Sequence, residues 1–288
     1  MSTSTILITG ANGQLGKEFS VLTDAFPLYK FVFSDKEDLP IDSREAIKKA
    51  FQQHQPTYCI NCAAYTAVDK AETDWETAFK INGNAVGLLA DMCNLYSTKL
   101  VHISTDYVFD GNSHIPYKEE DATAPVNTYG ASKLRGEQLC IKNNPSSIII
   151  RTAWVYSPFG QNFVKTMLRL MSERKEINVV SDQVGAPTYA ADLAKCIMQM
   201  LPAWKKGIYH YSNAGKVSWY NFAVAIRDLA GKDCIVNPIP STEYPTPARR
   251  PSFSLLDTTK IKSTFGCTIP EWKDSLIDCL QRLQQPAS

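Results

Sequence analysis

Short runs rich in β-branched and aromatic residues alternate with segments of helical period through the first half of the chain. STILITG (4–10) precedes a helical pattern over 14–25, KFVFSD (30–35) precedes one over 43–54, and TYCINCAA (57–64) precedes one over 75–96. KLVHISTDYVF (99–109), a helix from about 127 to 142 and SSIIIRTAWVY (146–156) complete the series. Strands that alternate with helices need crossover connections, which are right-handed and build a parallel sheet with helices on both faces. The expected fold class is therefore α/β, a doubly wound parallel Rossmann sheet. In the 75–96 helix, Phe79, Val86, Leu89 and Ala90 fall near one face, and Asn82 and Gly83 interrupt it.

After Tyr156 the periodicity weakens and loop signals accumulate: SPFG, VGAPTY, LPAW and VNPIPSTEYPTPARRP, before a terminal helix over 271–283. This predicts a smaller, interleaved C-terminal substrate lobe. The expected division assigns 1–155 and about 188–212 to a dinucleotide-binding domain, and about 156–187 and 213–288 to the substrate-binding lobe. No repeat of 20 to 50 residues and no low-complexity tract is visible.

Composition narrows the function by exclusion. At 288 residues, with 44% hydrophobic and 20% charged positions, the chain can bury a large core. A net charge of +1 offers no broad attraction for a nucleic acid polymer or an anionic membrane, so an anionic ligand has to be bound locally. The N-terminus lacks a basic region followed by a long apolar run, and no segment reaches 18 uninterrupted apolar residues, which makes a cytoplasmic location the default expectation. Among eight cysteines only Cys59 and Cys62 lie close in sequence. Three apart on an extended strand they point to opposite faces, and the other six are scattered without ligand spacing, so no metal site is expected.

The first chemical signature is Gly10-Ala-Asn12-Gly13-Gln14-Leu15-Gly16, three glycines at every third position between a strand and a helix. Glycine allows the tight turn and close approach of a pyrophosphate, while the helix start offers unpaired N–H groups and a positive dipole end. Asp35 ends the second strand, where an acid accepts hydrogen bonds from an adenosine ribose. Lys36 follows it and suits a 2′-phosphate, so NADPH and NADH both stay open. Ala63, Ala64 and Tyr65 end the third strand, beside the adenosine crevice or simply against a helix.

The second signature is Tyr129-Gly-Ala-Ser-Lys133, whose i, i+4 spacing puts phenol and ammonium on one helical face. A phenol with a reference pKa of roughly 10 needs help to exchange a proton at neutral pH, and a neighbouring ammonium stabilises its phenolate. The spacing alone is weak, since about one occurrence arises by chance in such a chain. It gains weight from Ser104, Thr105 and Asp106 at the end of a central strand, where ligands bind in open α/β sheets. A hydroxyl there polarises a carbonyl, or equally caps the loop.

Together these motifs resemble the extended short-chain dehydrogenase/reductases. YTAVDKAE (65–72), STDYVFDG (104–111), YGASKLRGE, RTAWVY, NFVKTMLRL, DQVGAPT and YPTPARRP resemble, in that order, the dTDP-4-dehydrorhamnose reductase family. The resemblance implies a catalytic trio of Thr105, Tyr129 and Lys133. It places Asp106, Tyr107, Trp154 and Arg250 by a nucleotide sugar, Gly13, Gln14, Leu15, Ala63, Ala64 and Tyr65 on the cofactor, and Asp42 near its adenine. The implied reaction is NAD(P)H-dependent reduction of a C4 ketone of dTDP-4-dehydro-L-rhamnose, for rhamnose-containing polysaccharides. Another 4-keto-6-deoxy nucleotide sugar is an alternative substrate. A non-catalytic regulatory subunit, like that of methionine adenosyltransferase, is the alternative of another class. Some members hold Mg²⁺ at a dimer interface through carboxylates; Glu18 matches one such position, but Ala191 replaces another, which leaves metal and dimer, against monomer, in doubt.

Overall fold

The computed structural model describes residues 3–285. The first region comprises β1 (Ser4–Thr9), α1 (Gln14–Val21), β2 (Tyr29–Ser34), α2 (Arg44–His54), β3 (Tyr58–Asn61), α3 (Val68–Ala71), α4 (Trp75–Phe79), α5 (Ala85–Leu95), β4 (Lys99–Thr105), α6 (Thr128–Asn143) and β5 (Ile148–Thr152). There follow β6 (Val155–Tyr156), α7 (Phe163–Glu173), β7 (Glu176–Val180), β8 (Val184–Gly185), β9 (Thr188–Tyr189), α8 (Ala190–Met200) and β10 (Gly207–Tyr211). The chain closes with β11 (Val217–Ser218), α9 (Trp219–Leu229), β12 (Ile235–Ile239), α10 (Thr259–Phe265) and α11 (Trp272–Gln284).

Six strands form the central sheet in the order β10-β5-β4-β3-β1-β2, every neighbouring pair parallel. Alternation of side chains explains why its strands read as continuous apolar runs. Ile6 and Ile8 of β1 pack into one core with Ile60, Val101, Ile148 and Ile150, whereas Leu7 packs into the opposite core with Cys59, Leu100 and Ile149. Both faces are thus apolar and both are covered. α1 and α8 close the first face through Phe19, Leu193 and Ile197; α2 and α5 close the second through Phe51 and Leu89. Each fully buried aliphatic side chain contributes roughly 1.5–3 kcal/mol. Strand order reverses between β1 and β3, so their carboxyl ends open a crevice.

A second core gathers Val164 and Met167 of α7, Phe222 and Ile226 of α9, and Leu276 and Leu280 of α11 around the parallel pair β7 and β12. The stretch 259–267 packs differently. Ile261, Phe265 and Cys267 join the first core beside β10, so the chain crosses back to the central sheet before α11 returns to the second core.

The 75–96 helix is not one α-helix. α4 and α5 are joined by a π-helical turn, Lys80–Asn84, which holds the two residues that break the apolar face, Asn82 and Gly83. The first helix is likewise shorter than its pattern, ending at Val21 before a separate 3₁₀ turn, Thr23–Ala25.

Candidate functional site

At the crevice the three glycines do different work. A Cβ on Gly10 would stand 2.6 Å from the Ala63 nitrogen, and its φ of +63° is left-handed, so the first glycine permits the turn and the approach of the β3 loop. A Cβ on Gly16 would meet Ala11 and the Gly10 carbonyl at 2.6 Å, which fixes how closely α1 packs on the loop. Gly13 is different: a Cβ there would touch only the Gly10 oxygen, at 3.2 Å, and the residue is exposed. It is also the N-cap of α1 and brings no capping side chain, so the first-turn N–H groups stay open to an anion. The residues present fit a dinucleotide pyrophosphate.

Side chains of the loop have other tasks. Leu15 is buried in the first core, so its side chain is not offered to a ligand. Gln14 accepts from Asn162 Nδ2 at 3.0 Å and reaches the Val155 carbonyl at 3.5 Å, bridging to the second region. Asn12 donates to the Asp35 carboxylate, which also accepts the Glu37 N–H at 3.1 Å. Asp42 pairs with Lys80 at 2.7 Å, a contact that lowers its pKa.

The loop Ala63–Ala64–Tyr65 is held by two residues that the sequence reading did not assign. Asn61 accepts from Thr9 Oγ1 at 2.7 Å and from the Ala63 N–H at 3.2 Å. Asn82, in the π turn, accepts the Tyr65 N–H at 2.8 Å and donates to the Tyr65 carbonyl at 2.9 Å and to Ser132 Oγ at 3.0 Å. The same amide therefore ties the Ala63–Tyr65 loop to the helix that carries Ser132, Tyr129 and Lys133. Its sequence signal was the polar break in an apolar face.

Tyr129 and Lys133 lie on α6, whose start is fixed by Asn127: its side chain accepts the Gly130 N–H at 2.8 Å and donates to the Arg249 carbonyl at 2.7 Å. Lys133 is 2% exposed and donates from Nζ to the Ile103 carbonyl of β4 at 2.6 Å. Burial pushes its ammonium down to about 8, while Glu137 pulls the other way. Thr105 donates to Asp106 Oδ1 at 2.9 Å and accepts the Tyr107 N–H at 3.2 Å. Tyr107 packs edge-on against Tyr129, 5.6 Å between ring centroids.

The Tyr129 phenol is raised: burial is the main cause and Asp106 adds to it, with Thr105 holding the shift back. The Lys133 ammonium donates to the Ile103 carbonyl. Asp106 itself is raised to about 7 by burial, against the pull of the Thr105 and Ser254 hydroxyls. Near neutral pH the protein thus holds a protonated phenol beside a carboxyl close to its midpoint.

Behind this face, Glu137 and Arg151 form a buried pair at 2.8 Å, with side-chain exposures of 2% and 3%, and Ser104 donates to Glu137 at 2.5 Å. Helix α6, strand β5 and the end of β4 are thereby locked together.

Arg250 is already engaged. It binds Asp69 at 2.8 Å and reaches the Tyr107 hydroxyl at 3.3 Å, closing a contact across 181 positions at the mouth of the site. A cavity of about 320 Å³ adjoins it, bordered by Arg249, Arg250, Asp110 and Gln183. Trp154 holds a left-handed backbone, φ +49°, and stacks on Trp219 with centroids 3.5 Å apart. Gly185 lies against both the Trp154 ring and Ser254 Oγ, which connects the tryptophan to the Asp106 side of the site.

Glu18 does not present a free carboxylate. It accepts from Ser157 at 2.6 Å and is paired with Arg282 at 2.9 Å, so a cation already stands there. Among the described residues no group of three His, Cys, Asp or Glu side chains is placed to hold a metal ion, nor is any helix long and apolar enough to cross a membrane.

Comparison with known proteins agrees with this geometry. Residues 4–285 match the family model described as RmlD substrate binding domain. The chain is 40% identical over 283 residues to a dTDP-4-dehydrorhamnose reductase of Aggregatibacter actinomycetemcomitans, covering 94% of this chain and 96% of that one. It is 36% identical over 284 residues to a dTDP-4-keto-6-deoxy-D-glucose reductase of Streptomyces niveus, covering 98% of each. A solved dTDP-4-dehydrorhamnose reductase of Bacillus anthracis, in complex with NADP, superposes with a TM-score of 0.95 at 38% identity, over 98% of this chain and all of that one. A nicotinamide-dependent oxidoreductase fold, a glycine loop open to pyrophosphate and a Thr-Tyr-Lys constellation meet in one chain, which belongs to the dTDP-4-dehydrorhamnose reductase family.

Proposed function

We propose that this protein reduces the C4 ketone of dTDP-4-dehydro-L-rhamnose to dTDP-L-rhamnose, for rhamnose-containing polysaccharides. The observation that supports the reading is Thr105 within hydrogen-bond reach of Tyr129, which shares α6 with Lys133 four positions on. A nicotinamide nucleotide held at the glycine loop would supply the hydride. Tyr129, kept protonated by burial, gives its proton to the ketone oxygen as charge develops there. Thr105 turns its hydroxyl from Asp106 to that same oxygen, and Asp106, near its midpoint, tolerates the loss of that bond. Lys133, anchored on Ile103, keeps two further N–H donors for the cofactor ribose.

Arg250 meets the substrate diphosphate by exchanging its Asp69 partner, and Trp154, stiffened by Trp219, borders the sugar. Asp35 suits a ribose diol and the exposed Lys36 a 2′-phosphate, so NADH and NADPH are both candidate reductants. Arg282 already pairs with Glu18, so the Glu18 carboxylate is not offered free to Mg²⁺.

A second substrate reading is favoured by the similarity to the Streptomyces niveus enzyme: another 4-keto-6-deoxy nucleotide sugar. Following NADPH and NADH oxidation with dTDP-4-dehydro-L-rhamnose and with other ketosugar nucleotides separates the two. Turnover only on a ketosugar other than the rhamnose precursor rejects the first reading. In Tyr129→Phe, single-turnover reduction falls roughly 10²- to 10⁴-fold; an unchanged rate removes Tyr129 as proton donor.

A further inference from the structure

The fold brings together two cysteines that the reductase chemistry leaves unused. Cys196 lies in α8, and Cys267 follows α10, 71 positions later. Their sulfurs are 2.8 Å apart, the Cys196 thiol donating to Cys267, and the residues are 3% and 4% exposed. They sit in the first core, on the face of the sheet that α1 also covers.

We propose that Cys196 and Cys267 are a disulfide-forming modification site, oxidised by low-molecular-weight disulfides of the glutathione class. At their present separation a short side-chain movement reaches the S–S bond length of about 2.05 Å. The two positions also differ in a way that orders the chemistry. Cys196 is inside a helix, whereas Cys267 follows Gly266, which ends α10 with a φ of +67°, and both Gly266 and Thr268 are exposed. A local opening of this turn therefore bares Cys267 first. The hydrogen bond from Cys196 also lowers the Cys267 thiol pKa, which favours its thiolate as the attacking group.

The exchange balances in two steps. The Cys267 thiolate attacks one sulfur of the small disulfide, breaks its S–S bond and expels one thiolate, leaving a mixed disulfide. Cys196, after losing its proton to solvent, attacks the Cys267 sulfur and expels the second small thiolate. Both leaving thiolates take up protons, so two protein thiols are oxidised and one small disulfide is reduced to two thiols. Cys59, Cys93 and Cys140 are buried together in the opposite core, beneath α2 and α5, and lack a turn of this kind. The new bond would tie the returning segment 259–267 to α8, closing a loop that contains β10 and α9.

The test uses the full-length protein incubated with oxidised glutathione, quenched by alkylation and mapped as peptides without reduction. The expected product is one species in which the peptides of Cys196 and Cys267 are joined with the loss of two hydrogen atoms. Its thermal midpoint rises by several degrees, the rise is reversed by a reductant, and Cys196→Ala and Cys267→Ala both lack it while retaining turnover. Alkylation of both thiols after oxidation of the native protein overturns the proposal. So does a linkage through any other cysteine, or a glutathione adduct on Cys267 that never resolves.

Discussion

The two halves of the site are built in different ways. On the cofactor side the contacts come from backbone: a glycine loop, an uncapped helix start and a strand-end loop held by Asn61 and Asn82. On the side of Tyr129 and Arg250, proposed to face the sugar, they come from side chains brought together over long stretches of chain, as in Arg250 with Asp69 or Asn127 with the Arg249 carbonyl. A backbone-built surface tolerates truncation of side chains but not an added Cβ. A side-chain-built surface does the reverse, because each truncation strands a buried partner.

The largest effect should follow from breaking the buried pair Glu137–Arg151, behind the face that carries Tyr129. Glu137→Gln leaves the Arg151 guanidinium, 3% exposed, without its counter-charge. Loss of one partner from such a pair costs about 3–5 kcal/mol. Urea unfolding should show a fall of that size, and Glu137→Gln combined with Arg151→Met should recover most of it. Equal stability of the single variant and wild type would show that the pair does not hold α6 to β5.

Next in size is a pH effect at Asp106. Its carboxyl is near 7 in the folded protein against an ordinary value of 3.8, so between these the native state holds a proton that the unfolded chain has released. Stability from this group is therefore fully present below pH 3.8 and is lost as pH rises through 7, at a slope of about 1.4 kcal/mol per pH unit. Asp106→Asn removes the slope. Wild-type and variant stability curves measured from pH 4 to 8 should diverge with rising pH in favour of the variant; parallel curves would contradict the buried, protonated carboxyl.

How much of this was legible in sequence follows the same division. The close approaches at Gly10 and Gly16 follow from spacing within one turn, and Tyr129 and Lys133 share one helix, so these placements were readable from neighbouring positions. The alternate burial of Ile6, Leu7 and Ile8 explains why the strands read as apolar runs and why a parallel sheet was the right inference. Asn82 was visible only as a flaw in an amphipathic face, since nothing local says that its amide clamps Tyr65. Partners of Arg250, Glu18 and Cys196 lie 181, 264 and 71 positions away, and only the fold selects them. Helical spacing likewise puts Lys133 near Tyr129, but the anchor of its ammonium is a β4 carbonyl that only the fold selects.

Gly10→Ala tests the backbone-built half at intermediate size. The substitution forces a residue with a Cβ to a φ of +63° and sets that atom 2.6 Å from the Ala63 backbone. The conformational strain alone costs about 1–3 kcal/mol. Because the displaced loop borders the crevice, titration with NADPH should show weakened binding in addition to a lowered thermal midpoint. Asn12→Ala, which removes only a side chain from the same loop, should retain cofactor binding within a few-fold. If the two variants bind equally well, the contrast between backbone and side-chain construction fails on this side.

The smallest effect gives the sharpest comparison, because the same device occurs in both halves. Ser43 caps α2 by accepting the Ala46 N–H at 3.3 Å, and Asn127 caps α6 by accepting the Gly130 N–H at 2.8 Å. Replacing either by alanine removes one helix cap, at a cost of about 1 kcal/mol. The two differ in what else they hold: Ser43 precedes a helix whose buried side chains, Ile47 and Phe51, serve the core, whereas the Asn127 amide also secures the carbonyl of Arg249. Ser43→Ala should therefore lower stability and leave kcat and KM unchanged. Asn127→Ala should lower stability by a similar amount and raise KM for the nucleotide sugar, because the segment carrying Arg250 loses its anchor on α6. Equal kinetic behaviour at matched stability would reduce Asn127 to an ordinary cap and separate the sugar-side loop from the catalytic helix.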